Sequence, residues 1–219
     1  MFVTFEGIDG SGKSTQARRL AEALRGLGRE VVETREPGGT ELGERIRGLL
    51  LGDGTIAAPA EAALFAAARA QLVDEVVLPA RSRGADVVCD RFVDSSLVYQ
   101  GVARGLGIDA VLALNEQALG GVLPDVTFVL VLPVDEALGR STGRRDRIEA
   151  EGRGFLERVA EGYRELAVAF PERIVVVDAS QAPASVAATI LDQVVARLEA
   201  LSHPSRRFPA LGGELTVPG

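Results

Sequence analysis

The stretch FVTFEGIDGSGKST, from Phe2 to Thr15, runs from an apolar strand-like segment through a glycine-rich turn into a helical pattern. Within it, Gly7, Gly12, Lys13 and Ser14 match G-x-x-x-x-G-K-S. Strand, turn and helix in that order are the context this phosphate-loop pattern requires. Glycines let backbone N–H groups converge on phosphate oxygens, and the start of a helix adds a favourable dipole. Lys13 is expected at the β- and γ-phosphates and Ser14 at a Mg²⁺ ion, so the loop reads as the holder of a nucleoside triphosphate.

Outward from the loop, strand-like runs recur at Met1–Glu6, Glu30–Thr34, Ala85–Cys89, Val126–Leu132 and Arg173–Val177. Most are nearly continuous apolar runs, which marks strands covered on both faces, as in a parallel sheet. Helical patterns lie between them; Ala17, Leu20, Ala21 and Leu24 follow the i, i+3, i+4, i+7 spacing, with Gly28 as a stop. The alternation predicts a three-layer α/β fold.

With 219 residues the chain has room for one sizeable domain. A net charge of −7 speaks against a general nucleic-acid binder. One cysteine, Cys89, rules out an internal disulfide framework, and one histidine, His203, rules out a Cys/His metal site. No apolar run reaches the roughly 18 residues of a membrane span, and the first residues lack a signal-peptide layout, so a cytoplasmic setting is expected. Only Lys13 is lysine, against 23 arginines. Arginine replaces lysine wherever either serves; the loop position kept the compact ammonium.

The γ-phosphate has three possible destinations: water, a protein partner or a small acceptor. An N-K-x-D guanine-reading element cannot exist, since the one lysine is in the loop. Arg140, Arg144, Arg145 and Arg147 fall within eight residues of an otherwise acidic chain. Beside a triphosphate site they suit a lid, where one such arginine contributes on the order of 10³–10⁵ in rate, and whose closure excludes water.

Five segments together resemble the thymidylate kinase family: FEGIDGSGKST, TREPGGT, LFAAARAQ, DRFVDSSLVYQG and DRIEAEG. They occur in the family's order and cover the chain from about residue 2 to 180. The phosphate loop is widely shared; TREPGGT followed by D-R-x-x-x-S-S-x-x-Y-Q-G is far more specific. The resemblance implies an ATP-dependent, Mg²⁺-requiring kinase that phosphorylates dTMP to dTDP. ATP would lie on Gly7, Asp9, Gly10, Ser11, Gly12, Lys13, Ser14 and Thr15. Arg140 resembles the arginine that stacks on adenine. The loop Asp178–Pro183, with Ala182 in it, resembles the other adenine wall.

On the acceptor side, Phe65 and Arg69 are spaced i, i+4 on a helical stretch. By resemblance the ring stacks on thymine and the guanidinium bonds its edge. Asp90 and Arg91 follow a parallel strand, where such folds place ligands. Asp90 is expected with Ser14 at the metal, and Arg91 as a bidentate clamp on the acceptor phosphate. Phe92 stands where the family often has Tyr. Ser95, Ser96, Tyr99 and Gln100 complete the acceptor set; the family puts the Ser96 position near the thymine edge, and its matching tyrosine crowds the sugar C2′. Asp9 by resemblance meets the acceptor 3′-hydroxyl or the metal shell. Glu36 and Pro37 are expected to shape the acceptor pocket, with a cis turn at Pro37 as one form. The loop itself carries no arginine, so the catalytic arginine is expected from the lid, with Arg144 and Arg147 as candidates.

The expectation is therefore a P-loop nucleoside monophosphate kinase fold: a five-stranded parallel sheet flanked by helices, one domain over residues 1–201, a lid near 140–152 and a flexible tail over 202–219. The catalytic set is Lys13, Arg91, Arg144, Arg147 and Asp9. The family also implies a homodimer, with ATP and dTMP as small-molecule partners and neither nucleic acid nor membrane. The alternatives are a kinase for another monophosphate and a P-loop switch that drives a protein partner; the acceptor set argues against the latter, since a switch needs no such pocket.

Overall fold

The computed structural model describes residues 1–140 and 146–202. Five strands, β1 (Phe2–Glu6), β2 (Val31–Arg35), β3 (Asp86–Asp90), β4 (Val126–Val131) and β5 (Ile174–Asp178), form one parallel sheet in the order β2-β3-β1-β4-β5. The helices are α1 (Lys13–Gly26), α2 (Glu41–Leu51), α3 (Ala58–Leu72), α4 (Leu78–Ser82), α5 (Val93–Ser96), α6 (Ile108–Leu119), α7 (Val134–Arg140), α8 (Arg153–Ala169) and α9 (Pro183–Ser202). The expected strands and parallel order are present, each boundary within one residue of the sequence reading. Among the described residues no helix is long and apolar enough to cross a membrane.

The sheet is the core because its central strands are apolar on both faces. Every residue of β1 is buried, and Phe5 pairs in register with Asp90 on one side and Phe128 on the other. The predicted stripe of α1, Ala17, Leu20, Ala21 and Leu24, is buried against the sheet. Each leucine there contributes about 1.5–3 kcal/mol. A buried charge inside this core is paired: Asp94 is fully buried, and Arg173 grips both its oxygens at 2.6 and 2.8 Å while Thr127 donates to it at 3.0 Å.

Two places break α-helical winding. Residues Val73–Val77 form a π turn between α3 and α4, just before Pro79, whose missing N–H cannot serve the α-helical ladder. A second π turn, Leu97–Ala103, continues α5. That turn carries Tyr99 and Gln100.

β1 lies between β3 and β4, where the strand order reverses. The ends of β1, β3 and β2 therefore open on one crevice, the usual ligand position of such sheets.

Candidate active site

The phosphate loop leaves β1 at Glu6 and enters α1 at Lys13. Gly10 has φ +84°, and a Cβ there would lie 2.3 Å from the Ala137 carbonyl, so the loop rests directly on α7. Gly12 has φ +94°, and a Cβ there would meet no protein atom within 4 Å. The glycine keeps space open in the cavity it lines.

Lys13 is buried. Its Nζ donates to Ile8 O at 2.9 Å and to Asp9 Oδ1 at 3.3 Å. The loop curls over its own ammonium because those two acceptors replace water. Burial and the nearby Arg91 guanidinium depress the Lys13 pKa.

Ser14 Oγ donates to Asp90 Oδ2, which brings the two expected metal ligands together at the end of β3. The next residue, Arg91, has φ +70°, a left-handed backbone that costs a non-glycine residue on the order of 1–3 kcal/mol. Its N–H donates to Phe5 O at 2.9 Å. Its guanidinium donates to Asp9 Oδ1 at 2.6 Å, Gly7 O at 3.0 Å and Ser95 Oγ at 3.2 Å. Burial pushes the Asp9 carboxyl up, but Arg91 and Lys13 outweigh it and hold it well below the usual carboxylate range.

Beneath Arg91 sits Glu6, which sequence reading passed over. It is fully buried and accepts from Phe92 N at 2.8 Å, Ser95 Oγ at 2.6 Å and Tyr163 OH at 2.7 Å. Burial raises its pKa, and Asp94 adds to the rise. A charged residue closing an otherwise apolar strand was the available signal, since such a group is costly unless partnered.

Two cavities meet here. One, of about 350 Å³, is lined by Asp9, Gly10, Gly12, Lys13, Ser14, Thr15, Arg35, Glu36, Arg47, Asp90, Arg91 and Arg140. The other, of about 140 Å³, is lined by Asp9, Glu36, Pro37, Arg47, Leu51, Phe65, Arg91, Ser95, Tyr99, Gln100, Asp146 and Ile148. Asp9, Glu36, Arg47 and Arg91 border both. Arg47, on α2, was also missed; it donates to Pro37 O at 2.9 Å, and no motif marks it. The Glu36–Pro37 peptide is cis.

A third cavity, between the loop and the start of α9, is lined by Ser11, Gly12, Thr15, Gln16, Arg140, Ala179, Gln181, Pro183 and Val186. Arg140 donates to Ala179 O at 3.1 Å. Ala182 is exposed and does not line it; its carbonyl accepts from Ser185 and Val186 at the start of α9.

Other expected residues sit elsewhere. Arg69 is fully buried and does not border the acceptor-side cavity. It donates to Glu36 Oε2, Asn115 Oδ1 and Phe92 O, because a buried guanidinium must spend its N–H groups on acceptors. Ser96 is buried behind the wall that Ser95 faces, and its Oγ has no hydrogen-bond partner. Tyr99 OH likewise has none, although its ring lines the cavity. Arg147, expected over the phosphates, instead donates to Glu61 Oε2 at 2.6 Å and Leu50 O at 3.0 Å. The buried Glu61 carboxylate draws it there. Arg144 and Arg145 lie outside the described residues, as does the tail from His203 onward.

The family model for thymidylate kinase matches residues 5–190. The chain belongs to the thymidylate kinase family. It is 49% identical over 200 residues to the thymidylate kinase of Alkalilimnicola ehrlichii, covering 89% of this chain and 92% of that one. It is 51% identical over 188 residues to the thymidylate kinase of Pelotomaculum thermopropionicum, covering 83% and 86%. The crystal structure of thymidylate kinase from Ehrlichia chaffeensis superposes with a TM-score of 0.71 at 33% identity, over 90% of this chain and 98% of that one. Within that family fold, the paired cavities lie where the strand order reverses.

Proposed function

We propose that this chain moves the terminal phosphoryl group of ATP to the 5′-phosphate of dTMP, giving ADP and dTDP. The observation that carries the reading is the shared wall: Asp9, Glu36, Arg47 and Arg91 border both cavities. Two nucleotides can lie end to end with their phosphates meeting at that seam. An oxygen of the acceptor phosphate attacks the γ-phosphorus in line, and the bond to the β–γ bridging oxygen breaks. The acceptor is already an anion, so catalysis is positioning and charge stabilisation.

Lys13 steadies the β- and γ-phosphates, and Arg91 clamps the acceptor phosphate. Arg47, unassigned until now, adds positive charge on the same wall. Phe65 stacks on the thymine, Tyr99 crowds the sugar C2′, Ser95 and Gln100 frame the base, and Ser96 backs that wall from behind. Asp9 lies beside the acceptor 3′-hydroxyl, Arg69 acts through Glu36, and Arg140 faces adenine together with the loop that holds Ala182. Arg144 is the lid arginine proposed for the γ-phosphate, in a lid over about 140–152 of a single domain.

Mg²⁺ fits the donor set. The Ser14 hydroxyl and an Asp90 oxygen converge beside the loop, and among the described residues no group of three or more His, Cys, Asp or Glu side chains stands together. Hard oxygen donors, few from protein and the rest from water and phosphate, are the manner in which magnesium is held. When bound, the ion neutralises charge on the transferring phosphoryl group. A helix-packed homodimer in the cytoplasm completes the proposal.

The test is a coupled assay with ATP, Mg²⁺ and dTMP, dUMP, UMP or AMP. Turnover highest with dTMP is expected. Preference for AMP or UMP overturns the thymine assignment, and ATP hydrolysis stimulated by a protein, without transfer, favours a switch.

A further inference from the structure

Glu61, in the first turn of α3, belongs to none of the roles above, yet it is 1% exposed. Its Oε1 accepts from Gln100 Nε2 at 2.9 Å and Arg104 Nε at 3.2 Å. Its Oε2 accepts from Arg104 Nη2 at 3.2 Å and Arg147 Nη2 at 2.6 Å. Burial pushes this carboxyl up, but the donors outweigh it and hold it below its ordinary range. It is therefore an ionised group that can only accept.

That restricts Gln100, which sits on the second π turn and lines the acceptor-side cavity. A loosely held amide can turn over and exchange its NH₂ for its carbonyl. Turning this one over would set a carbonyl oxygen against a buried carboxylate and leave the NH₂ without that acceptor. The arginines on the far side keep the carboxylate from swinging away: Arg104 is also paired with Glu151, and its guanidinium lies 4.9 Å over the Phe155 ring.

We infer that Glu61 is a positioning residue for base selection: by holding Nε2 of Gln100, it makes the carbonyl Oε1 the acceptor offered to the incoming base. A pyrimidine with an N3–H, thymine or uracil, donates to that oxygen. Cytosine has a bare lone pair at N3, which would face the lone pairs of Oε1. The inference rests on the reading of the acceptor as dTMP.

The test compares kcat/KM for dTMP and dCMP, with ATP and Mg²⁺, in the parent chain and in Glu61→Gln. The substituted side chain has nearly the same shape and can present either end to Gln100. The preference for dTMP over dCMP should fall at least about fivefold, the fold-change that matches the lower end of the cost of a buried mismatch. A variant that loses dTMP turnover but keeps the parent's preference makes Glu61 a packing residue and overturns the inference. A parent chain that leaves dTMP untouched removes the acceptor reading itself, and the inference with it. Should Glu61→Gln fail to fold, Gln100→Leu decides in the same assay: without the amide the preference should collapse, and an unchanged preference overturns the inference.

Discussion

Arg91 Nη2 donates to Asp9 Oδ1 across 2.6 Å, and so ties the end of β3 to the middle of the phosphate loop. Neither residue holds that geometry alone. Arg91 keeps a left-handed backbone, and Glu6 fixes Ser95, which shares the guanidinium. An anion arriving at Arg91 competes with a carboxylate already in place.

Arg91→Met removes the acceptor clamp while keeping the aliphatic stem. Hydrogen bonds to charged groups are worth about 1.5–3 kcal/mol. A fall in kcat/KM for dTMP of about tenfold to somewhat over a hundredfold is expected, with KM for ATP changed less. Steady-state kinetics with each substrate varied in turn checks this.

Lys13→Met should cost about 10²–10³ in kcat, the scale of losing one preorganised charge in a dry site. Because Nζ also binds Ile8 O, thermal stability should drop by about 1 kcal/mol rather than stay fixed. A melting curve and a turnover assay on the same preparation separate the two effects.

Tyr99→Phe deletes a hydroxyl that has no hydrogen-bond partner. Stability and the preference for deoxyribose over ribose should both persist. Tyr99→Ala removes a buried ring that packs edge-on against Phe155 and Tyr163. It should cost about 3–5 kcal/mol and relax the sugar preference. Comparing dTMP with its ribose counterpart checks this; unchanged discrimination in the alanine variant would remove the ring from that role.

Glu36 gives a pH dependence. Burial lifts its pKa from 4.5 to about 7 against the pull of Arg69. Between those values the folded chain keeps a proton that the unfolded chain has released, so stability falls as pH rises through that window. The loss from this group is full above about pH 7, on the order of 3 kcal/mol at 1.36 kcal/mol per pKa unit. In Glu36→Gln that part of the slope should vanish. Urea midpoints of both proteins at pH 5 and pH 8, without nucleotide, test it; parallel slopes would show that Glu36 does not titrate there.

The sheet was legible because buried parallel strands announce themselves as apolar runs, and the phosphate loop because its spacing is tied to one backbone shape. Asp90 with Ser14 and Arg91 with Asp9 were legible as motif residues, and the structure brings each pair together. Glu6, Arg47, Glu61 and Tyr163 were not. Glu6, Glu61 and Tyr163 join segments far apart in sequence, Arg47 reaches only to Pro37, and each lies in a stretch that reads locally as ordinary strand or helix. Ser95, Tyr99 and Gln100 were legible as one acceptor set, and the π turn lets all three border one cavity. By resemblance to the family, Arg69 is expected at the thymine edge and Arg147 in the lid. Their destinations were set by buried carboxylates, Glu36 and Glu61, that only the fold reveals.

The enclosed ammonium of Lys13 makes the protein its own occupancy gauge. Every other basic side chain except His203 is a guanidinium, so an amine-acylating reagent finds a single side-chain target, and that target lies in the nucleotide cradle. The mass added to the one peptide bearing it, followed over time, would record how often the cradle stands open and how far each nucleotide shuts it.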